Sequence, residues 1–179
     1  MASNKITLSL LLFLAIFTYA KAKRGPLKET TMTVYFQDYS GDRNTTVIEV
    51  PGPSTGPLNF SRFGAMFVTD DPITGEFGEG SAPIARGRGM YVTSALDGSH
   101  THVTLSVVFI DGEHKGSTLE IQGSSAQLEP VREVAVVGGT RKFRLARGYA
   151  TFETLYYDPA RKFAIIQSNI TVFHYYKYC

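Results

Sequence analysis

The chain has 179 residues, a formal net charge of +2 and 43% hydrophobic residues. This length suits one domain with a substantial core and is too short for two comfortable ones. The composition excludes a disordered or fibrous chain, and the nearly neutral charge argues against a nucleic-acid binder, which usually carries a basic stripe. Trp is absent, whereas 10 Tyr and 12 Phe supply aromatic rings that suit β-strands.

The first 22 residues have the pattern of a secretory signal peptide. Lys5 gives a positive start, residues 8–17 are apolar, and Ala20-Lys21-Ala22 supplies the small residues of a cleavage site. The apolar run is too short to cross a bilayer, which takes about 20 residues. We therefore expect secretion to the extracellular space, with a flexible arm over residues 23–30.

Three glycosylation triplets and a single cysteine bear on this expectation. The triplets place candidate glycans on Asn44, Asn59 and Asn169, and export makes them credible. Cys179 is the only cysteine, so no disulfide within the chain is possible. The Cys179 thiol could pair between chains or stay idle.

Beyond the arm, the sequence alternates between short apolar runs and turn residues. Many short strands with brief connections predict an all-β antiparallel sandwich or barrel, formed as one domain by residues 31–179. Asp70-Asp71-Pro72 is interpreted as a turn between two runs, because Pro forces the residue before it to be extended. The predicted strands are 31–38, 45–50, 63–69, 84–94, 103–111, 117–122, 134–137, 143–156 and 162–176.

The alternation within the runs predicts which side chains face the interior. In the last run, Asn169 should face outward, and the opposite face holds Ile166, Ile170, Val172 and His174. In the first run, Asp38 continues an apolar stripe that includes Phe36. In the run 143–156, Arg147 shares a face with Phe143 and Tyr149.

Charges on apolar faces are the best functional signal in the sequence, because a buried charge is costly unless it is paired. Asp38 and Arg147 could be partners across a barrel interior and hold a phenolic ligand. Alternatively, Asp38 caps a turn and Arg147 covers the rim. His100 and His102 would point to the same face, but no third metal ligand is evident, so we expect a surface pair and no metal site.

Four segments together resemble the plant dirigent family, in the right order along the chain. They are the opening strand Val34-Tyr35-Phe36-Gln37-Asp38, residues 63–74, the stretch Ala85-Arg86-Gly87-Arg88-Gly89-Met90-Tyr91, and residues 131–150 with Val137-Gly138-Gly139-Thr140 and Arg147-Gly148-Tyr149-Ala150. The resemblance implies an eight-stranded antiparallel β-barrel of the allene-oxide-cyclase type. It also implies a pocket inside each barrel, no cofactor, and a homo-oligomer, with a trimer favoured and a dimer possible.

The resemblance further implies stereochemical control in the apoplast. Members guide the coupling of phenoxy radicals, made from coniferyl alcohol by a laccase or peroxidase, to optically active lignans such as pinoresinol. Related members are lyases that form quinone methides and close rings, as in pterocarpan formation. A third alternative is a defence protein that binds a phenolic compound without converting it. Radical coupling needs little more than positioning, whereas ring closure needs a group that moves a proton.

Matching positions assign roles to individual residues. By resemblance, Asp38 would be the proton donor, Tyr91 its hydrogen-bonding partner and Arg147 the anchor of the phenol oxygen. We expect Phe36, Phe143, Tyr149 and His174 to line the substrate pocket, and burial to raise the pKa of Asp38.

The chain departs from the pattern of pinoresinol-forming members at several positions. Arg141-Lys142 stands where they tend to have an acidic residue, and Thr93 stands where they often have a second tyrosine. The usual cysteine near the mature N-terminus is missing. These differences leave another phenol, or a cyclisation, open.

Overall fold

The structure is a computed structural model that describes residues 25–41, 44–50 and 59–175. The predicted signal peptide (1–22) and Cys179 lie outside the described residues. The described ranges form nine strands and two short 3-10 turns, Gly112–His114 and Arg141–Phe143. The strands are β1 (Leu27–Tyr39), β2 (Val47–Glu49), β3 (Met66–Thr74), β4 (Pro83–Thr93), β5 (His100–Phe109), β6 (Thr118–Ala126), β7 (Val131–Gly139), β8 (Arg147–Asp158) and β9 (Phe163–Tyr175).

Eight of these strands close an antiparallel barrel, which confirms the predicted fold. Each strand from β3 to β8 pairs with the next one along the chain, and β1 pairs with β9 on one side and β3 on the other. The short strand β2 extends the sheet beside β3, where Val47 pairs with Thr69. Short hairpin connections make this topology possible, because antiparallel neighbours need no crossover. Among the described residues, no helix is long and apolar enough to span a membrane.

The barrel is filled by side chains of one parity from each strand. On β9, Ile170, Val172 and His174 are buried and Asn169 is exposed, which confirms the faces predicted for the last strand. Burying such apolar side chains is the main favourable term in folding, about 1.5–3 kcal/mol each. The core holds Val34, Phe36, Ile73, Ala85, Leu105, Val107, Phe109, Leu119, Ile121, Val134, Val136, Phe143, Ala146, Ala150, Ile170 and Val172.

Several predicted strand boundaries were wrong, and three of these differences have a clear local reason. Strand β1 begins at Leu27, inside the predicted arm, because β9 continues far enough to pair Tyr175 with Leu27. Asp70-Asp71-Pro72 lies within β3 rather than in a turn, since the extended conformation before a proline also suits a strand. Strand β8 begins only at Arg147, because Leu145 has a φ of 63° that an extended strand cannot accommodate.

Candidate functional site

Three polar side chains meet inside the barrel near the end of β1: Asp38, Asp71 and Tyr91. The antiparallel pairing of Phe36 with Ile73 brings Asp38 beside Asp71 when the register is continued toward Tyr39. Strand β4 lies on the other side of β3, where Phe67 pairs with Tyr91. The two carboxyl groups and the phenol therefore come from three neighbouring strands.

Asp71 is the most deeply buried member, with 6% of its surface exposed. One carboxylate oxygen accepts a hydrogen bond from the Thr69 hydroxyl at 2.7 Å, and the other accepts one from the Thr46 hydroxyl. Burial raises the pKa of Asp71 to about 7, and the charge of Asp38 acts in the same direction. The two hydroxyl donors, and more weakly Arg86, oppose this rise. Asp71 can therefore carry a proton near neutral pH.

Asp38 is half-buried, and burial raises its pKa to about 6. The sequence predicts a raised pKa for Asp38, but it does not predict that a second carboxyl group, that of Asp71, lies beside it. Two carboxyl groups this close titrate as a pair, because the ionisation of one disfavours the ionisation of the other. Near neutral pH the pair can hold one proton, so it offers an acid and a base side by side.

Tyr91 completes the cluster and belongs to an aromatic wall. Burial, followed by the charges of Asp38 and Asp71, raises the pKa of Tyr91 well above its ordinary value, so the phenol stays protonated. Its ring stacks on Phe67 with centroids 5.1 Å apart, and Phe67 stacks on Phe60 at 4.6 Å. The Phe60 carbonyl accepts a hydrogen bond of 2.7 Å from the buried Thr93 hydroxyl, which ties this wall to the end of β4.

Phe36 borders the cluster from the apolar side. Its side chain is 4% exposed and meets Phe152 edge to face, with centroids 5.6 Å apart. It lies two residues before Asp38, on the same face of β1, so the ring forms the boundary between the polar cluster and the core. Apolar walls with a few convergent polar groups are typical of small-molecule sites. The two carboxyl groups can transfer protons to and from a molecule bound against these rings.

Arg147 is not part of this cluster. It is exposed at the beginning of β8, and its Nη1 donates a hydrogen bond of 2.8 Å to the Ala146 carbonyl. The interior face of β8 is formed by residues of the other parity such as Ala150, and the buried Ala146, just before the strand, has the same parity. The predicted partnership of Asp38 and Arg147 across the interior is therefore wrong, and the alternative position of Arg147 at the rim agrees with the structure.

Three of the predicted pocket residues also lie elsewhere. Phe143 and His174 are buried together, with ring centroids 5.2 Å apart, close to the beginning of β1. Tyr149 is 43% exposed on the outer face of β8. The structure thus brings together Asp38, Tyr91 and Phe36 from the predicted set and separates the rest from them.

Asp71 is the residue that the sequence interpretation missed. The Asp-Pro dipeptide predicts a turn, and a turn would end the alternation before Asp71. Phe67, Thr69, Asp71 and Ile73 share one face of β3, and all of them are buried. The same signal that pointed to Asp38, a carboxylate continuing an apolar stripe, was present at Asp71.

The remaining predicted surface residues are accessible. Asn44, Asn59 and Asn169 are exposed, and Asn169 accepts a hydrogen bond of 2.8 Å from the Thr33 hydroxyl. Their glycosylation stays a prediction. His100 and His102 are also exposed. Within residues 25–41, 44–50 and 59–175, no group of three or more His, Cys, Asp or Glu side chains could hold a metal ion.

Comparison with known proteins places these features in a family. Residues 29–173 match the model of the family described as dirigent-like protein. Dirigent protein 23 of Arabidopsis thaliana is 34% identical over 150 residues, which cover 84% of this chain and 80% of the relative. Pterocarpan synthase 1 of Glycyrrhiza echinata is 34% identical over 149 residues, which cover 83% of this chain and 79% of the relative.

Solved structures agree with this assignment. The pterocarpan synthase dirigent protein GePTS1 superposes with a TM-score of 0.75 at 33% identity, covering 84% of this chain and 90% of that one. The corresponding protein PsPTS1 superposes with a TM-score of 0.75 at 32% identity, covering 84% of this chain and 97% of that one. With the family model spanning nearly the whole described barrel, this chain belongs to the dirigent family.

Proposed function

We propose that this protein controls the stereochemistry of bond formation in phenolic intermediates held inside its barrel, and that it closes rings through quinone methides. The observation that carries the proposal is the cluster of Asp38, Asp71 and Tyr91 bordered by aromatic rings. The similarity to pterocarpan synthases supports the same reading. The substrate class is a phenol that bears a benzylic hydroxyl and a second hydroxyl placed to close a ring.

Binding would use the aromatic walls, and orientation would use the polar cluster. The substrate ring packs against Phe60 and Tyr91, the two accessible rings of the stack, whose shared neighbour Phe67 is fully buried. The Tyr91 hydroxyl, kept protonated by its raised pKa, donates a hydrogen bond to a substrate oxygen. A fixed orientation exposes only one face of the reactive carbon, which is the source of stereochemical control.

Formation of the quinone methide requires both carboxyl groups. The protonated carboxyl of the Asp38–Asp71 pair gives its proton to the benzylic hydroxyl, the C–O bond breaks, and water leaves. The ionised carboxylate takes the phenolic proton, and the electron pair of that O–H bond forms the quinone methide carbonyl. The pair then holds one proton as before, with the acid and base exchanged.

Ring closure restores the starting protonation state. The second hydroxyl of the substrate attacks the methide carbon and forms the new C–O bond, and its proton passes to the carboxylate. The other carboxyl returns a proton to the phenol oxygen. The net change is the loss of one water molecule, and the pair is ready for another cycle.

A second candidate is the guidance of phenoxy-radical coupling beside a laccase or peroxidase. It is favoured by two separate aromatic surfaces at the site, the stack that includes Tyr91 and the half-buried Phe152, which lies beside the buried Phe36. Two phenoxy radicals held on these surfaces would couple with one relative orientation. The coupled bis-quinone methide then closes by internal attack of hydroxyl groups, for which the carboxyl pair can again move protons.

Both candidates agree with a protein exported to the apoplast. We propose secretion, with the signal peptide removed, and glycans on Asn44, Asn59 and Asn169, which the exposure of these side chains allows. We further propose a homo-oligomer, with a trimer favoured. Mass spectrometry of the protein purified from plant cell wall, combined with sedimentation, tests these assignments.

The test of function compares substrates with and without oxidant. Purified full-length mature protein is incubated with an isoflavanol bearing a 2′-hydroxyl, and separately with coniferyl alcohol and a laccase, and products are resolved by chiral chromatography. Isoflavanol turnover without oxidant is the expected result. Enantiomeric excess of the coupled lignan, without isoflavanol turnover, would replace the first candidate by the second. Saturable binding without either product would refute both and leave a phenolic-binding protein.

A further inference from the structure

Gly87 lies on β4 opposite Asp71 and faces the ring of Phe36. A Cβ atom added to Gly87 would lie 2.6 Å from Phe36 Cε1 and 2.9 Å from Phe36 Cδ1. Both separations are well below van der Waals contact. The Ile73 Cδ1 atom would be 3.5 Å away, an ordinary contact. The missing side chain therefore makes room for a single neighbour, the Phe36 ring.

Space rather than backbone conformation is what makes glycine suitable here. Gly87 is not among the glycines with a positive φ, and its backbone continues the regular pairing with Asp71 and Val107. Alanine could adopt this backbone without strain. The consequence of adding a methyl group would thus fall on the position of Phe36.

A methyl group at position 87 would require the Phe36 ring to move away from β4. On the core side it is enclosed by buried residues, among them Val34 and Ile73, and close-packed interiors do not yield by a whole methyl group. Its half-buried neighbours are Phe152, with ring centroids 5.6 Å apart, and Asp38, two residues further along the same face of β1. A methyl group at position 87 would therefore push the ring toward the carboxyl pair and make the site shallower.

We infer that Gly87 is a specificity-determining residue: by letting the Phe36 ring lie against β4, it sets the depth of the site and so the size of the phenol that can enter. This inference rests on the proposed function. The Phe36 ring forms the bottom of the site, and the absence of a side chain at Gly87 determines how far this ring lies from the carboxyl pair. The substrates selected by this depth are phenols with bulky substituents beside the phenolic hydroxyl.

The test measures binding of three cinnamyl alcohols that differ only in size. p-Coumaryl, coniferyl and sinapyl alcohols carry no, one and two methoxy groups, and their affinities are measured by calorimetry for the full-length mature protein and its variants. In Gly87→Ala, sinapyl alcohol should lose about tenfold or more affinity relative to p-coumaryl alcohol, since one methyl group in a pocket is worth about that much. The double variant Gly87→Ala with Phe36→Leu should regain the lost affinity.

Gly138→Ala is the matched control. Its added Cβ would lie 3.8 Å from the nearest atom, Arg147 Nη1, so the affinities should keep the ranking of the unmodified protein. A folded Gly87→Ala protein with an unchanged ranking would overturn the inference and leave the proposed function intact. If Gly87→Ala does not fold, Phe36→Leu alone must favour sinapyl alcohol, and an unchanged ranking there also overturns it. Failure of the unmodified protein to bind these three alcohols overturns the inference, and failure to bind the isoflavanol as well overturns the proposed function.

Discussion

The two ends of the barrel both bury titratable side chains, but they do so in opposite ways. Asp38 lies near the end of β1, and His174 pairs with Lys28 near its beginning, a separation of about 30 Å along the strand. At the Asp38 end, burial raises the pKa of the carboxyl groups. At the His174 end, burial lowers the pKa of the imidazoles.

The His174 end is stabilised by packing and by hydrogen bonds to its imidazole rings. The His174 ring meets Phe143 edge to face, and its Nε2 lies 2.9 Å from the Thr30 hydroxyl. His114 also packs edge to face on Phe143, with its Nδ1 2.9 Å from Lys142 Nζ. Neutral imidazoles suit this environment, because Lys28 and Lys142 disfavour further positive charge. This end has the features of a structural plug.

At the Asp38 end, the carboxyl groups have pKa values of about 6 and about 7, so they can gain or lose a proton near neutral pH. Asp38 and Asp71 repel each other when both are ionised. Arg86 opposes the rise in the Asp71 pKa only weakly, because its Nε donates a hydrogen bond of 2.8 Å to Asp70 Oδ1 on the outer face. Such an arrangement costs stability and is typical of functional sites. The comparison shows that a buried titratable group indicates a functional site only where its surroundings bring its pKa close to neutral pH.

The largest expected effect that would break this comparison is at Asp71. Asp71→Asn keeps the side-chain shape but removes the acid–base pair, so product formation should fall by about 10²- to 10⁴-fold while phenol affinity changes little. Asp70→Asn is the matched control, since Asp70 is the neighbouring residue on the outer face and pairs with Arg86 and Arg88. Chiral chromatography of timed reactions measures both. Equal activity in the two variants would remove Asp71 from the mechanism.

The part of the site that the sequence predicts is the part that depends on strand alternation. Alternation correctly placed Asp38 and Phe36 on the interior face, and the resemblance added Tyr91. Alternation gives the face of a strand but not the height along the barrel, which depends on register and strand ends. His174 is inside as predicted, but at the far end.

Local backbone geometry explains the other failures. The φ of 63° at Leu145 and the 3-10 turn Arg141–Phe143 interrupt the strand predicted from Phe143, so the parity counted from Phe143 did not continue into β8. Arg147 and Tyr149 were consequently assigned to the interior and lie outside. At Asp71 a proline obscured a strand that its own geometry supports. Eight-stranded closure required the family resemblance, because the runs alone allowed a sandwich.

The next effect in size concerns the plug and sharpens its structural role. Phe143→Ala should destabilise the barrel by about 3–5 kcal/mol, because Phe143 is fully buried among Phe109, His114 and His174. Activity per folded molecule should be unchanged at temperatures below unfolding. Phe173 lies on the outer face and is 39% exposed, so Phe173→Ala should reduce the free energy of unfolding by less than about 1 kcal/mol. Urea unfolding followed by circular dichroism measures both, and a selective loss of activity in folded Phe143→Ala would place Phe143 in the site.

The smallest expected effect is a change in the pH dependence of stability at the carboxylate end. The pKa of Asp38 is about 6 in the folded protein and 3.8 ordinarily, so between these values the folded state binds more protons than the unfolded state. The contribution of Asp38 to stability is therefore favourable at low pH and is lost as pH rises from about 4 to about 6. Asp38→Asn removes this dependence, so its melting temperature relative to the unmodified protein should rise by a few degrees between pH 4.5 and pH 8.

Differential scanning calorimetry at both pH values tests it, with Asp70→Asn as control. The control should change little over this range, because hydrogen bonds from Arg86 lower the pKa of Asp70 below its ordinary value of 3.8, so that its titration is nearly complete at pH 4.5. Parallel shifts in the two variants would mean that Asp38 titrates as an ordinary surface carboxylate, and the contrast between the ends of the barrel would not hold.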